Sequence, residues 1–141
     1  MESWRLSCAQ REKERTRAEW TGPYKRNHRH HEGEGDDGCE DEEYLQLLQE
    51  NLRHALSEFH PCLIFYLAGA DPYCEDQLGG LSITLEGLQE RDRIVFGMAR
   101  ERTLPVAVTL AGGYAQQVED TVAIHVGTVR AAAAALAPER N

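Results

Sequence analysis

Cys62-Leu63-Ile64-Phe65-Tyr66-Leu67-Ala68-Gly69-Ala70-Asp71 is a strongly apolar run that ends on one carboxylate. A second run, Val106-Ala107-Val108-Thr109-Leu110, finishes in Ala111-Gly112-Gly113-Tyr114. Both read as buried strands, each closing on small residues and then a polar group. In open α/β sheets, ligands bind in the crevice outside the carboxyl ends of the strands. Asp71 and Tyr114 are therefore the first candidates for chemistry.

Helical periodicity fills the spaces around the two strands. Leu45, Leu48, Leu52, Ala55 or Leu56, and Phe59 recur at three- and four-residue steps, behind an acidic start at Glu40, Asp41, Glu42 and Glu43. Pro61 closes that helix and launches the first strand. Thr84 is a suitable N-cap for a second helix, with Leu85, Leu88, Val95, Met98 and Ala99 inward and Glu90, Arg91, Arg93 and Arg100 left for solvent. A third helix is expected from about Val118, burying Val122, Val126, Val129, Ala133 and Leu136, with an alanine run of high helix propensity. Helix, strand, helix, strand, helix contains one βαβ unit, so the strands should be parallel with a right-handed crossover. Two parallel strands leave both sheet edges unpaired, so the chain reads as part of a sheet.

Composition sets outer limits. The 141 residues carry 24 acidic against 15 basic side chains, a net charge of −9, which speaks against a general nucleic-acid binder. No apolar run is long enough to span a bilayer, and Met1 to Gln10 contain no secretory signal pattern. A reducing compartment is the expectation, cytoplasmic or, in a eukaryote, nuclear. Cys8, Cys39, Cys62 and Cys74 then read as free thiols, with Cys62 a small buried hydrophobe inside its strand. Residues 1–31 hold eight basic and four acidic side chains without periodicity, whereas residues 32–60 hold ten acidic and one basic. The chain accordingly divides into a disordered or unrelated segment at 1–35 and a folded part at 36–141.

The residues resemble a known family. Tyr66-Leu67-Ala68-Gly69-Ala70-Asp71-Pro72 and Asp76-Gln77-Leu78-Gly79-Gly80-Leu81-Ser82-Ile83-Thr84, then Arg91-Asp92-Arg93-x-Val95-Phe96, Pro105-Val106 and Ala111-Gly112-Gly113-Tyr114, follow one order. That order is similar to the carboxy-terminal part of the zinc-dependent histone deacetylases, closest to class IV and its bacterial relatives. The resemblance covers roughly residues 36–136. It implies a partial arginase-like α/β fold, a Zn2+ cofactor and hydrolysis of acetyl-lysine amides. By position Asp71 matches a carboxylate ligand of the zinc, and Tyr114 a tyrosine that holds the oxyanion. Leu78, with Gly112 and Gly113, matches the substrate channel. A zinc with an open position polarises the amide carbonyl, and a phenol can donate to the tetrahedral oxyanion.

Parts of the family pattern are missing. No Asp-x-His occurs anywhere in the chain. His30-His31 sits among Asn27-His28-Arg29 and Glu32-Gly33-Glu34, without a preceding strand, and is not read as the family's His-His pair. The histidine-bearing segment reads instead as a solvated basic tail. One carboxylate cannot hold a catalytic zinc, which needs about three protein ligands. The expectation is a truncated, inactive chain that binds zinc poorly by itself and needs the missing sheet or an oligomer. The alternative is a non-catalytic remnant or interaction protein that binds no metal. Asp76 is expected to brace its loop, and His125 to be a satisfied structural histidine.

Overall fold

A computed structural model describes residues 39–137. In chain order the elements are α1 (Asp41–Phe59), β1 (Ile64–Gly69), α2 (Leu85–Glu101), β2 (Val106–Ala111) and α3 (Val118–Leu136). The order is the expected one, and the sheet is a parallel pair in register from Ile64↔Val106 to Gly69↔Ala111. The expected character of residues 1–35, Cys8 and His28, His30 and His31 lie outside the described residues.

Local chemistry accounts for the element ends. Asp41, Glu42 and Glu43 occupy the first turn of α1, where the helix dipole favours carboxylates. The helix stops where His60 turns left-handed at φ 46°, with Pro61 next in sequence. The Thr84 hydroxyl caps α2 by accepting from the Gly87 N–H at 3.0 Å. Asp41 then ties α1 to that cap, accepting from the Thr84 N–H at 2.8 Å and its hydroxyl at 2.6 Å.

Alternation along β1 separates two faces of the sheet. Tyr66 and Ala68 turn towards α2, where the Tyr66 and Phe96 rings meet edge to face at 5.7 Å. Phe65 and Leu67 point the other way and are 70% and 69% exposed. Ala70, Tyr73, Ile83, Leu88 and Ile124 form the buried cluster, with Tyr44, Leu81, Leu85 and Ala115 packed on its flank.

Three expectations about burial are corrected. On α3, Val122, Val126, Val129, Ala133 and Leu136 are exposed, and Ile124 and Thr128 are the buried residues. The helix is apolar over more than one face, and α2 packs against only one of them. Arg91, expected in solvent, is 4% exposed, and Asp92 beside it is 1% exposed. Their positions continue the Leu88, Val95, Ala99 stripe, and mutual pairing makes burial of the charges tolerable. Cys62 is exposed and precedes the strand, which starts only at Ile64.

The buried pair belongs to a network that fixes the end of β1. Arg91 Nε and Nη2 lie 3.0 and 2.9 Å from Asp92 Oδ1, and Arg91 Nη1 donates to the Gly69 carbonyl at 2.6 Å. Asp92 also accepts from the Tyr66 hydroxyl. Its second oxygen accepts from the Thr128 hydroxyl at 2.6 Å. Strand β1 and helices α2 and α3 thus meet on the Asp92 carboxylate, and Arg91 carries that anchor to Gly69, two residues before Asp71 in the chain.

Candidate active site

Every residue singled out for chemistry lies beyond the carboxyl ends of the two strands. Asp71 follows β1 by two residues and is exposed. Gly112, Gly113 and Tyr114 follow β2. Gly112 and Gly113 have φ of +64° and +115°, backbone that L side chains rarely adopt. A Cβ at Gly112 would stand 2.8 Å from Asp71 Oδ1, and one at Gly113 would stand 2.6 Å from Thr121 Cγ2. The absent side chains let the turn close down on the Asp71 carboxylate. Asp71 and the Gly112–Tyr114 turn are therefore brought together.

The two loops are stitched to one another. Asp76 and Ala115 form an antiparallel bridge, and Gln116 N–H donates to the Glu75 carbonyl at 3.1 Å. The Tyr114 N–H donates to Asp76 Oδ2 at 2.5 Å, and the Tyr114 carbonyl accepts from the Gln77 N–H at 3.1 Å and from Gln77 Nε2 at 3.0 Å. The side chains of Tyr114 and Leu78 stay 60% and 75% exposed. Asp76 does brace its loop as expected, accepting from Leu78 and Gly79. Its reach to Tyr114 is an addition the sequence did not signal.

Asp71 and Asp76 differ in a telling way. Among the described residues, the Asp71 carboxylate has no hydrogen-bond partner, whereas Asp76 holds three backbone N–H groups. A strand-end aspartate that merely caps a loop would look like Asp76. Among the described residues Asp71 keeps its lone pairs free.

His125 corrects an expectation in part. Its Nε2 lies 3.3 Å from the Gly112 carbonyl oxygen, but its buried Nδ1 has no partner among the described residues. It is satisfied at one nitrogen only.

Tyr73 locks the first loop to the start of α3, its hydroxyl donating to Asp120 Oδ2 at 3.3 Å. Burial, together with the Asp120 charge and hydrogen bond, pushes its pKa up to about 12. A raised pKa means the unfolded chain loses this proton first, near pH ~10. Its contribution to stability is whole below that pH and is lost as pH climbs towards about 12. Burial raises Tyr44 and Tyr66 as well. Urea midpoints followed through this alkaline range should fall for the natural chain and fall less steeply for Tyr73→Phe. Parallel curves would dissociate Tyr73 from the effect.

The metal is a separate question. Among the described residues, no three or more His, Cys, Asp or Glu side chains are gathered so as to hold an ion. A catalytic zinc takes about three protein ligands. Asp71 can supply one of them, and no complete set is gathered around it among the described residues.

Comparison with known proteins gives the lineage. The profile of the histone deacetylase domain family matches residues 14–129. This match reaches further upstream than the motif resemblance, which begins near residue 36. An uncharacterized protein of Picosynechococcus sp. is 41% identical over 96 residues, covering 68% of this chain and 32% of that protein. Histone deacetylase 2 of Arabidopsis thaliana is 42% identical over 77 residues, covering 55% of this chain and 20% of the plant protein. Histone deacetylase 6 of Caenorhabditis elegans is 32% identical over 81 residues, 57% of this chain and 8% of the nematode protein. The chain spans about a third or less of the length of these relatives. With the profile covering most of its residues, the chain belongs to the histone deacetylase domain family.

Proposed function

We propose that this chain carries the strand-end half of an acetyl-lysine amidohydrolase site. In this reading residues 36–141 are the carboxy-terminal part of the domain. Asp71 would be one ligand of a zinc ion, the Tyr114 hydroxyl would donate a hydrogen bond to the oxyanion, and Leu78 with Gly112 and Gly113 would line the approach of the acetylated lysine. The supporting observation is the contrast at the strand ends: Asp71 is exposed and unpartnered among the described residues, against a glycine turn that leads to an exposed Tyr114.

An amide carbonyl is a poor electrophile, and its tetrahedral adduct with water bears a negative charge. A phenol fixed where that charge develops can lower the barrier by about 3 kcal/mol. Tyr114 suits the task because its backbone is held on both sides while its ring is left exposed. Collapse of the adduct releases acetate and the lysine amine. The remaining metal ligands and the general base must come from elsewhere in the domain, so the chain alone is inactive in this account. A reducing, cytoplasmic setting agrees with the free thiols of Cys39, Cys62 and Cys74. Among the described residues, no helix is long and apolar enough to cross a membrane.

A second reading has its own support. Phe65 and Leu67 on the sheet, and Val122, Val126 and Val129 on α3, are exposed apolar surface that something could cover. A remnant used only for interaction would keep those faces and need no metal. Zinc content and acetate release, measured on the purified chain, test the proposal. Zinc well below one per chain and no acetate are expected. Zinc near one per chain with acetate released from an acetyl-lysine peptide would overturn it.

A further inference from the structure

We infer that Asp76 is a positioning residue of this site, whose carboxylate sets where the Tyr114 phenol and the Leu78 side chain stand. The inference rests on the reading of Tyr114 as oxyanion donor and adds a residue to it. A carboxylate offers about four lone-pair positions, and Asp76 uses both oxygens on backbone donors from two separate loops. Oδ1 accepts from Leu78 N–H at 2.9 Å and Gly79 N–H at 2.8 Å, closing a turn within its own loop. Oδ2 accepts from Tyr114 N–H at 2.5 Å, across to the loop after β2.

The need for such a clamp follows from the residues before Tyr114. Gly112 and Gly113 allow the turn over Asp71, but they also leave the chain free to swing. Asp76 grips Tyr114 by its N–H, and Gln77 grips its carbonyl twice. The peptide on each side of the Tyr114 Cα is thereby fixed, which leaves the phenol only its own rotamers. Burial works to raise the Asp76 pKa, but the three N–H groups outweigh it and hold the carboxyl below its ordinary range. The clamp is charged at neutral pH, and hydrogen bonds to a carboxylate are stronger than neutral ones.

Asp76→Asn separates positioning from mere bracing. An asparagine oxygen can still close the turn at Leu78 and Gly79, but its NH2 would face the Tyr114 N–H, donor against donor. Amide hydrogen exchange of the full chain, read residue by residue, should show Tyr114 exchanging at least ~10-fold faster in Asp76→Asn. Leu78, Gly79 and the core amides of Ile83 and Leu88 should be unchanged. Unchanged protection at Tyr114 would overturn the inference, and so would a general loss of protection throughout both loops.

A second arm uses the chain assembled with the remaining part of the Picosynechococcus relative. Tyr114→Phe should lower kcat about 100-fold, and Asp76→Asn about 10-fold with little change in KM. The double variant should be no slower than Tyr114→Phe alone, because Asp76 acts through the phenol. Multiplying effects would overturn the positioning role. If the assembly with the unsubstituted chain releases no acetate, the site reading fails. The exchange result then decides for or against the clamp by itself.

Discussion

Asp92→Ala is expected to cost about 3–5 kcal/mol, enough to unfold much of the chain at ordinary temperature. The side chain is 1% exposed, and three elements depend on it. Its loss would leave the Arg91 guanidinium, 4% exposed, without a counter-charge. The Tyr66 and Thr128 hydroxyls would also lose their shared acceptor. A buried pair is weak evidence for net stability, yet breaking one by removing a single partner is severe. Thr128→Val removes one donor from the buried carboxylate and should cost less, about 1.5–3 kcal/mol. Urea unfolding followed by circular dichroism measures both. A loss below about 1 kcal/mol for Asp92→Ala would mean that the network does not hold the fold.

The network matters for the site as well as for the fold. Arg91 holds the Gly69 carbonyl, so the strand end that presents Asp71 is anchored to α2 and, through Asp92 and Thr128, to α3. Thr128→Val, which should stay folded, is the variant in which this anchoring can be examined without collapse.

Asp71→Asn should have the largest effect on metal affinity in the assembled domain. The carboxylate is exposed, lies against the Gly112 turn and has no hydrogen bond to forfeit among the described residues. Little stability should therefore be lost with its charge. A neutral amide is a poor substitute for an anionic oxygen ligand. The loss in zinc affinity should exceed the roughly 10–100-fold typical of outer-shell substitutions. A variant that binds zinc as well as the natural assembly would remove Asp71 from the ligand set. Asp76 makes its bonds to the backbone N–H groups of Leu78, Gly79 and Tyr114 and none to the Asp71 side chain, so the exchange of those amides should be untouched by this change.

Much of the architecture was legible because its causes are local. The Thr84 cap, the acidic first turns and the two apolar runs each announce themselves within a few residues. Strand ends rich in small residues pointed to Asp71 and Tyr114 before any family was considered. What escaped was set by neighbours distant in the chain. Arg91 looked like a solvent residue until Asp92, Tyr66 and the Gly69 carbonyl came together around it. On α3, several apolar faces compete, and nothing in the helix says that α2 will take the one with Ile124 and Thr128. Cys62 falls outside the strand because pairing begins at Ile64, two residues after the apolar run begins. Asp76 was legible only by half. Its own turn is written in the Asp-x-x-Gly spacing, but its bond to Tyr114 spans 38 residues.

In the function proposed above, Asp71 and Tyr114 are half of a zinc amidohydrolase site which the rest of the domain completes. Zinc per complex, measured on the chain co-assembled with the remaining part of the Picosynechococcus relative, tests it most directly. About one zinc per complex is expected, with acetate released from an acetyl-lysine peptide, and loss of both in Asp71→Asn. A complex that keeps its zinc and its acetate release in Asp71→Asn would contradict it.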